Sequence, residues 1–234
     1  MNKKIKIYLC DLTYDTIVLV TDTIPINVGY IASYLDKNLK DQIEIKLFKY
    51  PNELLKELKD NPPDILGLSN YSWNSNLSEM FARIGKKINP NLMVIQGGTN
   101  IPHEIDEKKK FLINRPATDV YAMFEGERSA LNFVKRFIET RDNPKLFFEN
   151  PIDGCVFIHP DTRGTEDPKF VVGKYLDRIK DLDEIPSPYL NGMLDKFFDG
   201  KLRPFIETNR GCPFTCSFCH TGHSYFHKIN KFTS

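Results

Sequence analysis

Asp64-Ile65-Leu66-Gly67-Leu68-Ser69 is a short apolar run closed by a polar residue, and the residues after it change period: Leu77, Met80, Phe81, Ile84 and Ile88 share one helical face. A buried strand followed by an amphipathic helix is one β/α unit, and the unit repeats on both sides of this stretch. Upstream, Ile5 to Cys10 reads as a strand and Val28, Ile31, Ala32, Leu35 and Leu39 as the stripe of a helix. Ile43 to Phe48 alternates at period two, as a strand nearer a sheet edge does. A short helix over Pro51 to Asp60 follows, with proline in its first turn and Asn61-Pro62-Pro63 as its stop. Downstream, Leu92 to Gln96 is a fourth strand cut off by Gly97-Gly98. Asp119 to Phe124 is a fifth, leading through Glu125-Gly126-Glu127 into a helix carrying Leu131, Val134, Phe137 and Ile138. Five such units predict a doubly wound, Rossmann-like α/β domain over residues 1–140, a five-stranded parallel sheet with helices on both faces.

Residues 141–200 break the pattern. Val156-Phe157-Ile158 and Phe170-Val171-Val172 flank a turn-rich stretch and predict a small hairpin, and Leu182-Asp183-Glu184-Ile185-Pro186-Ser187-Pro188 has the prolines of a stiff linker. Pro204 to Thr208 reads as the first strand of a new unit, so residues 201–234 are set apart as a third segment.

Composition narrows the class. The 234 residues carry a net charge of +1, which gives no reason to expect nucleic acid or an anionic membrane as partner. With 41% hydrophobic and 27% charged residues the chain reads as a soluble globular protein. Lys6 and Asp11 interrupt what would be the core of a signal peptide, and no run approaches the ~20 apolar residues that span a bilayer. Five cysteines, three of them in one loop, argue against a disulfide framework and for a reducing compartment, with the cytoplasm as default. Cys10 and Cys155 sit in apolar runs and read as small buried hydrophobes.

Ligands of open parallel sheets bind outside the carboxyl ends of the strands. Four loops fall there: Thr23 to Gly29, Ser69 to Asn74, Gly97 to Pro102, and Glu125 to Glu127. Each also has a purely structural reading, a tight turn for Gly97-Gly98 and helix-dipole compensation for Glu125 and Glu127. None holds GxGxxG, which disfavours NAD and FAD.

The strongest chemical signal is Gly211-Cys212-Pro213-Phe214-Thr215-Cys216-Ser217-Phe218-Cys219. Three thiolates on one short loop suit three corners of a cubane iron–sulfur cluster, and the fourth iron is then open to a substrate. Zinc is the competing metal, because His220, His223 and His227 follow at once, but structural zinc takes two separated ligand pairs and no upstream CxxC is present. The three histidines read as solvated residues of a loop.

Cys212, Cys216, Phe218 and Cys219 match CxxxCxΦC, with Φ aromatic, and with the lead-in Thr208-Asn209-Arg210-Gly211-Cys212-Pro213 the sequence resembles the radical S-adenosylmethionine (radical SAM) enzymes. The order of parts is more specific. A doubly wound domain with a GG loop after its fourth strand and an EGE loop after its fifth, an Asp-Leu-Asp-Glu-Ile-Pro-Ser-Pro linker, then the cysteine motif, resembles the cobalamin-binding radical SAM enzymes over nearly the whole chain. The resemblance implies cobalamin on the carboxyl edge of the sheet, at loops containing Ser69, Gly97, Gly98, Glu125 and Gly126. It implies a [4Fe-4S] cluster on Cys212, Cys216 and Cys219, with S-adenosylmethionine on the open iron and Phe218 flanking its adenine. An external donor would supply the electron that releases a 5′-deoxyadenosyl radical, and methyl transfer to an unactivated centre of a small-molecule substrate is the family-weighted reaction. One departure stands out: mutase-type cobalamin domains carry DxHxxG after the first strand, whereas Asp11-Leu12-Thr13-Tyr14-Asp15-Thr16 has no histidine.

Only 15 residues follow Cys219, too few for further β/α units of roughly 30 residues each. The expectation is the front part of a longer enzyme, with the first strand and cluster loop of an incomplete partial barrel, inactive alone toward S-adenosylmethionine. A split enzyme completed by another chain, a non-catalytic cobalamin-binding module and a zinc-binding protein are the alternatives.

Overall fold

A computed structural model describes residues 3–212, 214 and 216–219. Five parallel strands, β1 (Ile5–Cys10), β2 (Ile43–Phe48), β3 (Ile65–Ser69), β4 (Met93–Gly97) and β5 (Val120–Ala122), alternate with α1 (Ile26–Leu39), α2 (Pro51–Asp60), α3 (Ser75–Ile88), α4 (Ile105–Ile113) and α5 (Gly126–Glu139). Period-two alternation sends successive residues of a strand to opposite faces and so divides the core. Ile5, Ile7 and Leu9 pack beneath α1 and α5, whereas Tyr8 and Cys10 pack beneath α2 and α3. The helices therefore cover both faces, as the periodicity predicts. Cys10 and Cys155 are buried in these cores, as their apolar surroundings predict.

The sheet order is β2-β1-β3-β4-β5-β6-β7. The last two strands, β6 (Cys155–Ile158) and β7 (Phe170–Val172), are the expected hairpin, but they join the main sheet instead of standing apart. β6 runs antiparallel to β5, with Tyr121 opposite Val156 and Ala122 opposite Cys155. The reason is apolar surface: Val156 and Ile158 bury against Tyr121, Met123 and Leu112 of α4 in a third core, which a free hairpin would expose. The sheet thus has seven strands where periodicity gives five.

Residues 204–208 form no strand. Arg203 alone makes an isolated parallel bridge to Thr23, Pro204 has no N–H to donate, and Phe205 and Ile206 stay exposed. Without a neighbouring ladder the segment has nothing to pair with. Among the described residues no helix is long and apolar enough to cross a membrane.

Candidate functional site

In a 2-1-3-4-5 order the connections leave β1 and β3 in opposite directions, which opens a crevice at their carboxyl ends. The structure has a cleft of about 570 Å³ at this edge, within the ~300–1,000 Å³ usual for small-molecule sites. Its floor is the sheet face carrying Leu9, Gly67, Ile95 and Ala122, and its walls are the first turns of α1 and α5. Ser69, Gly97, Gly98, Glu125 and Gly126, drawn from three separate loops, all line it.

Glycines let the loops and helices around the cleft approach one another closely. Gly98 has φ 136°, which L side chains avoid, and a Cβ there would lie 2.4 Å from the Asn70 carbonyl oxygen. A Cβ on Gly126 would lie 2.7 Å from Ile31 Cδ1, across the narrow gap between α1 and α5. Phe124, just before the EGE turn, is the one non-glycine residue at positive φ among those described (56°), a strained conformation at the cleft wall.

A buried polar network fixes the loops. Lys49, fully buried after β2, donates to Asp11 Oδ2 at 2.8 Å and to Thr21 Oγ1 at 3.1 Å. Ser69 Oγ donates to Asp11 Oδ1 at 2.6 Å and accepts from Asn74 Nδ2 at 2.9 Å. The Ser69 hydroxyl is therefore committed to joining the loops after β1 and β3. Asn27 at the start of α1 also reaches Asp11 Oδ1, at 3.3 Å.

The remaining wall is the segment leading into the cysteines. Glu125 accepts from Nε and Nη2 of Arg178, both at 3.0 Å on Oε1, and from the Ile179 amide on Oε2 at 2.8 Å. Two residues on, Glu127 accepts from Arg210 Nη2 at 2.5 Å. Glu207 takes Arg210 Nε at 3.1 and 3.2 Å. Burial works against the Arg210 charge, but Glu127, Glu207 and Glu125 outweigh it and raise its pKa above the ordinary value. Glu207 also sits above the usual carboxylate range, because burial and the two neighbouring carboxylates overcome the pull of Arg210. Sequence reading singled out neither Lys49 nor Arg178, and named Arg210 only as part of the lead-in.

Beyond this clasp, Cys212 is half-buried while Cys216 and Cys219 are exposed, with the Cys219 amide donating to the Cys216 carbonyl at 3.1 Å. Phe218 is 92% exposed. The three thiols do not converge: among the described residues no three His, Cys, Asp or Glu side chains are grouped to hold a metal ion. His220, His223 and His227 lie outside the described residues.

No family model matches the chain. The cobalamin-dependent radical SAM methyltransferase TokK of Streptomyces tokunonensis is 35% identical over 178 residues, 73% of this chain and 24% of that protein. The 2-(S-pantetheinyl)-carbapenam-3-carboxylate methyltransferase of Streptantibioticus cattleyicolor is 33% identical over 177 residues, again 73% and 24%. This chain belongs among the cobalamin-dependent radical SAM proteins. The fold agrees: the solved cobalamin-dependent S-adenosylmethionine radical enzyme OxsB with aqua-cobalamin bound superposes with a TM-score of 0.61 at 21% identity, covering 93% of this chain and 28% of its own. The chain spans about a quarter of the length of these relatives.

Both cofactors expected of a cobalamin-dependent radical SAM protein can be tested against the residues present. The cleft suits a partly apolar group, since its floor is aliphatic and its rim is formed by polar loops at the carboxyl ends of the strands. The cysteine loop offers three thiols outside any disulfide, a donor set suited to iron–sulfur.

Proposed function

We propose that this chain supplies the cobalamin-holding domain and the cluster-binding loop of a radical SAM enzyme that transfers a methyl group to an unactivated centre of a small molecule. The observation that carries the reading is the cleft at the β1/β3 switch point, whose remaining wall is the approach to Cys212. When bound, the [4Fe-4S] cluster supplies the electron that cleaves S-adenosylmethionine, and cobalamin supplies a methyl carrier. Cys212, Cys216 and Cys219 would ligate three irons, leaving the fourth to S-adenosylmethionine beside Phe218, with an external reductant feeding the cluster. The aliphatic floor of the cleft would take the nucleotide tail of cobalamin. Asp11 orients no histidine here; its carboxylate is held by Lys49 and Ser69, so this loop supplies no lower cobalt ligand. Methyl transfer is favoured because both curated relatives above are named methyltransferases. Five cysteines with no disulfide among them fit the reducing cytoplasm.

Titration of the chain with hydroxocobalamin tests this, read by absorbance and by retention of the pigment on gel filtration. One equivalent should bind, and Gly126→Val should weaken binding at least tenfold while leaving the circular dichroism unchanged. Failure of the native chain to retain the pigment would contradict the reading. A non-catalytic cobalamin module predicts the same binding, but no iron or sulfide after anaerobic reconstitution.

A further inference from the structure

Two connectors that are distant in sequence end on the same three-residue turn. Arg178 and Ile179 grip Glu125, and Arg210 grips Glu127, with Gly126 of the cleft wall between them. The Arg210 side chain is 11% exposed and Glu127's is 5%, and the guanidinium also meets Glu207 and stands 3.8 Å from Glu125 Oε1. Its central carbon lies 5.7 Å from the Tyr30 ring centre, so α1 contributes as well. An exposed ion pair contributes about 0–1 kcal/mol, but a buried, multiply bonded arginine is a different object, because releasing it would strand carboxylates that the fold has already desolvated.

We propose that Arg210 is a positioning residue: its clasp on Glu127 and Glu207 docks the cysteine loop onto the cleft and fixes where the first cluster thiolate stands relative to the cofactor. Only Gly211 separates Arg210 from Cys212, and two peptide units span at most ~7 Å. Gly211 turns the chain directly after the clasp, with φ 97°. Pinning Arg210 therefore confines the Cys212 backbone to the mouth of the cleft, while Phe214, Cys216 and Cys219 beyond it remain exposed. The Glu125-Gly126-Glu127 turn thus serves the protein's own connectors with its carboxylates and the cleft with its glycine. The consequence for the two metal centres rests on the cobalamin reading of the cleft; the clasp itself does not.

The test uses the full chain and the variants R210A, R210K, E127Q and E127Q/R210A. Glu-C protease cuts after Glu207, which the clasp shields. Cleavage there should be at least tenfold faster in R210A and E127Q, intermediate in R210K, and no faster in the double variant than in R210A, with the far-UV circular dichroism of the folded chain retained in every variant. In the anaerobically reconstituted chain, the magnetic interaction between cob(II)alamin and the reduced cluster, read by EPR, should weaken in R210A and partly return in R210K. Unchanged cleavage in both single variants, or strictly additive effects in the double variant, would overturn the clasp. Faster cleavage with no cobalamin retained by the native chain would uphold the clasp and defeat the cofactor reading. An EPR interaction equal in native chain and R210A would overturn the positioning role.

Discussion

Replacing Lys49 by methionine keeps the length of the side chain and removes its charge from a site with no solvent access. The Lys49 side chain is 0% exposed and that of Asp11 11%, so neither charge can be rehydrated without opening the carboxyl edge of the sheet. Removing one partner of such a pair costs about 3–5 kcal/mol. Lys49→Met leaves Asp11 with the Ser69 hydroxyl and the Asn27 amide as donors, which places the loss near the lower bound, about 3 kcal/mol. Asp11→Asn strands the ammonium with the Thr21 hydroxyl and an amide oxygen, which places it near the upper bound, about 5 kcal/mol. The double variant has no stranded charge and should recover at least about 1 kcal/mol relative to Asp11→Asn. Urea unfolding reads all three: with a slope of about 1–3 kcal/mol/M, the midpoint of Lys49→Met should fall by roughly 1–3 M at unchanged slope. A shift below about 0.3 M, or Asp11→Asn proving the milder change, would refute the reasoning.

Thiol titration of the native chain with an aromatic disulfide should show three fast cysteines and two that react only on unfolding, because Cys10 and Cys155 are fully buried and desolvation raises both thiol pKa values. Fast reaction of all five would contradict the packing. Gly98→Ala should cost about 2 kcal/mol or more, since alanine must adopt the strained φ against the Asn70 carbonyl, and a melting temperature within 1 °C of native would sink that account. Replacing Cys212, Cys216 and Cys219 together by alanine should abolish iron and sulfide uptake without moving the urea midpoint, because the loop lies outside the buried cores; a lowered midpoint would show that the loop supports the fold.

The helix and strand periods are enough to place β1, β3, α2 and α3, because the two strands are apolar runs buried on both faces and each helix buries one apolar stripe. α4 has no such trace: its centre is Asp106 to Lys110, its terminal Ile105 and Ile113 are exposed, and the residues on its core side are the charged Lys108 with Leu112 and a partly buried Phe111. The hairpin was visible as two apolar runs, but its attachment to β5 depends on which surface needs covering, a property of the assembled sheet. Conversely, Pro204 to Thr208 reads as a strand and makes none, since a strand is defined by a partner. At the site, glycine and serine loops could be placed because the carboxyl edge of a parallel sheet is fixed by topology. The charges that hold those loops could not: Lys49, Arg178 and Arg210 find their carboxylates 38, 53 and 83 positions away, and nothing local announces such a pair.

The most direct test of the whole account is elemental analysis of the chain after anaerobic reconstitution with iron, sulfide and hydroxocobalamin, followed by desalting. About one cobalt with about four iron and four sulfide per chain is expected. Zinc in place of iron, or iron without cobalt, would contradict it.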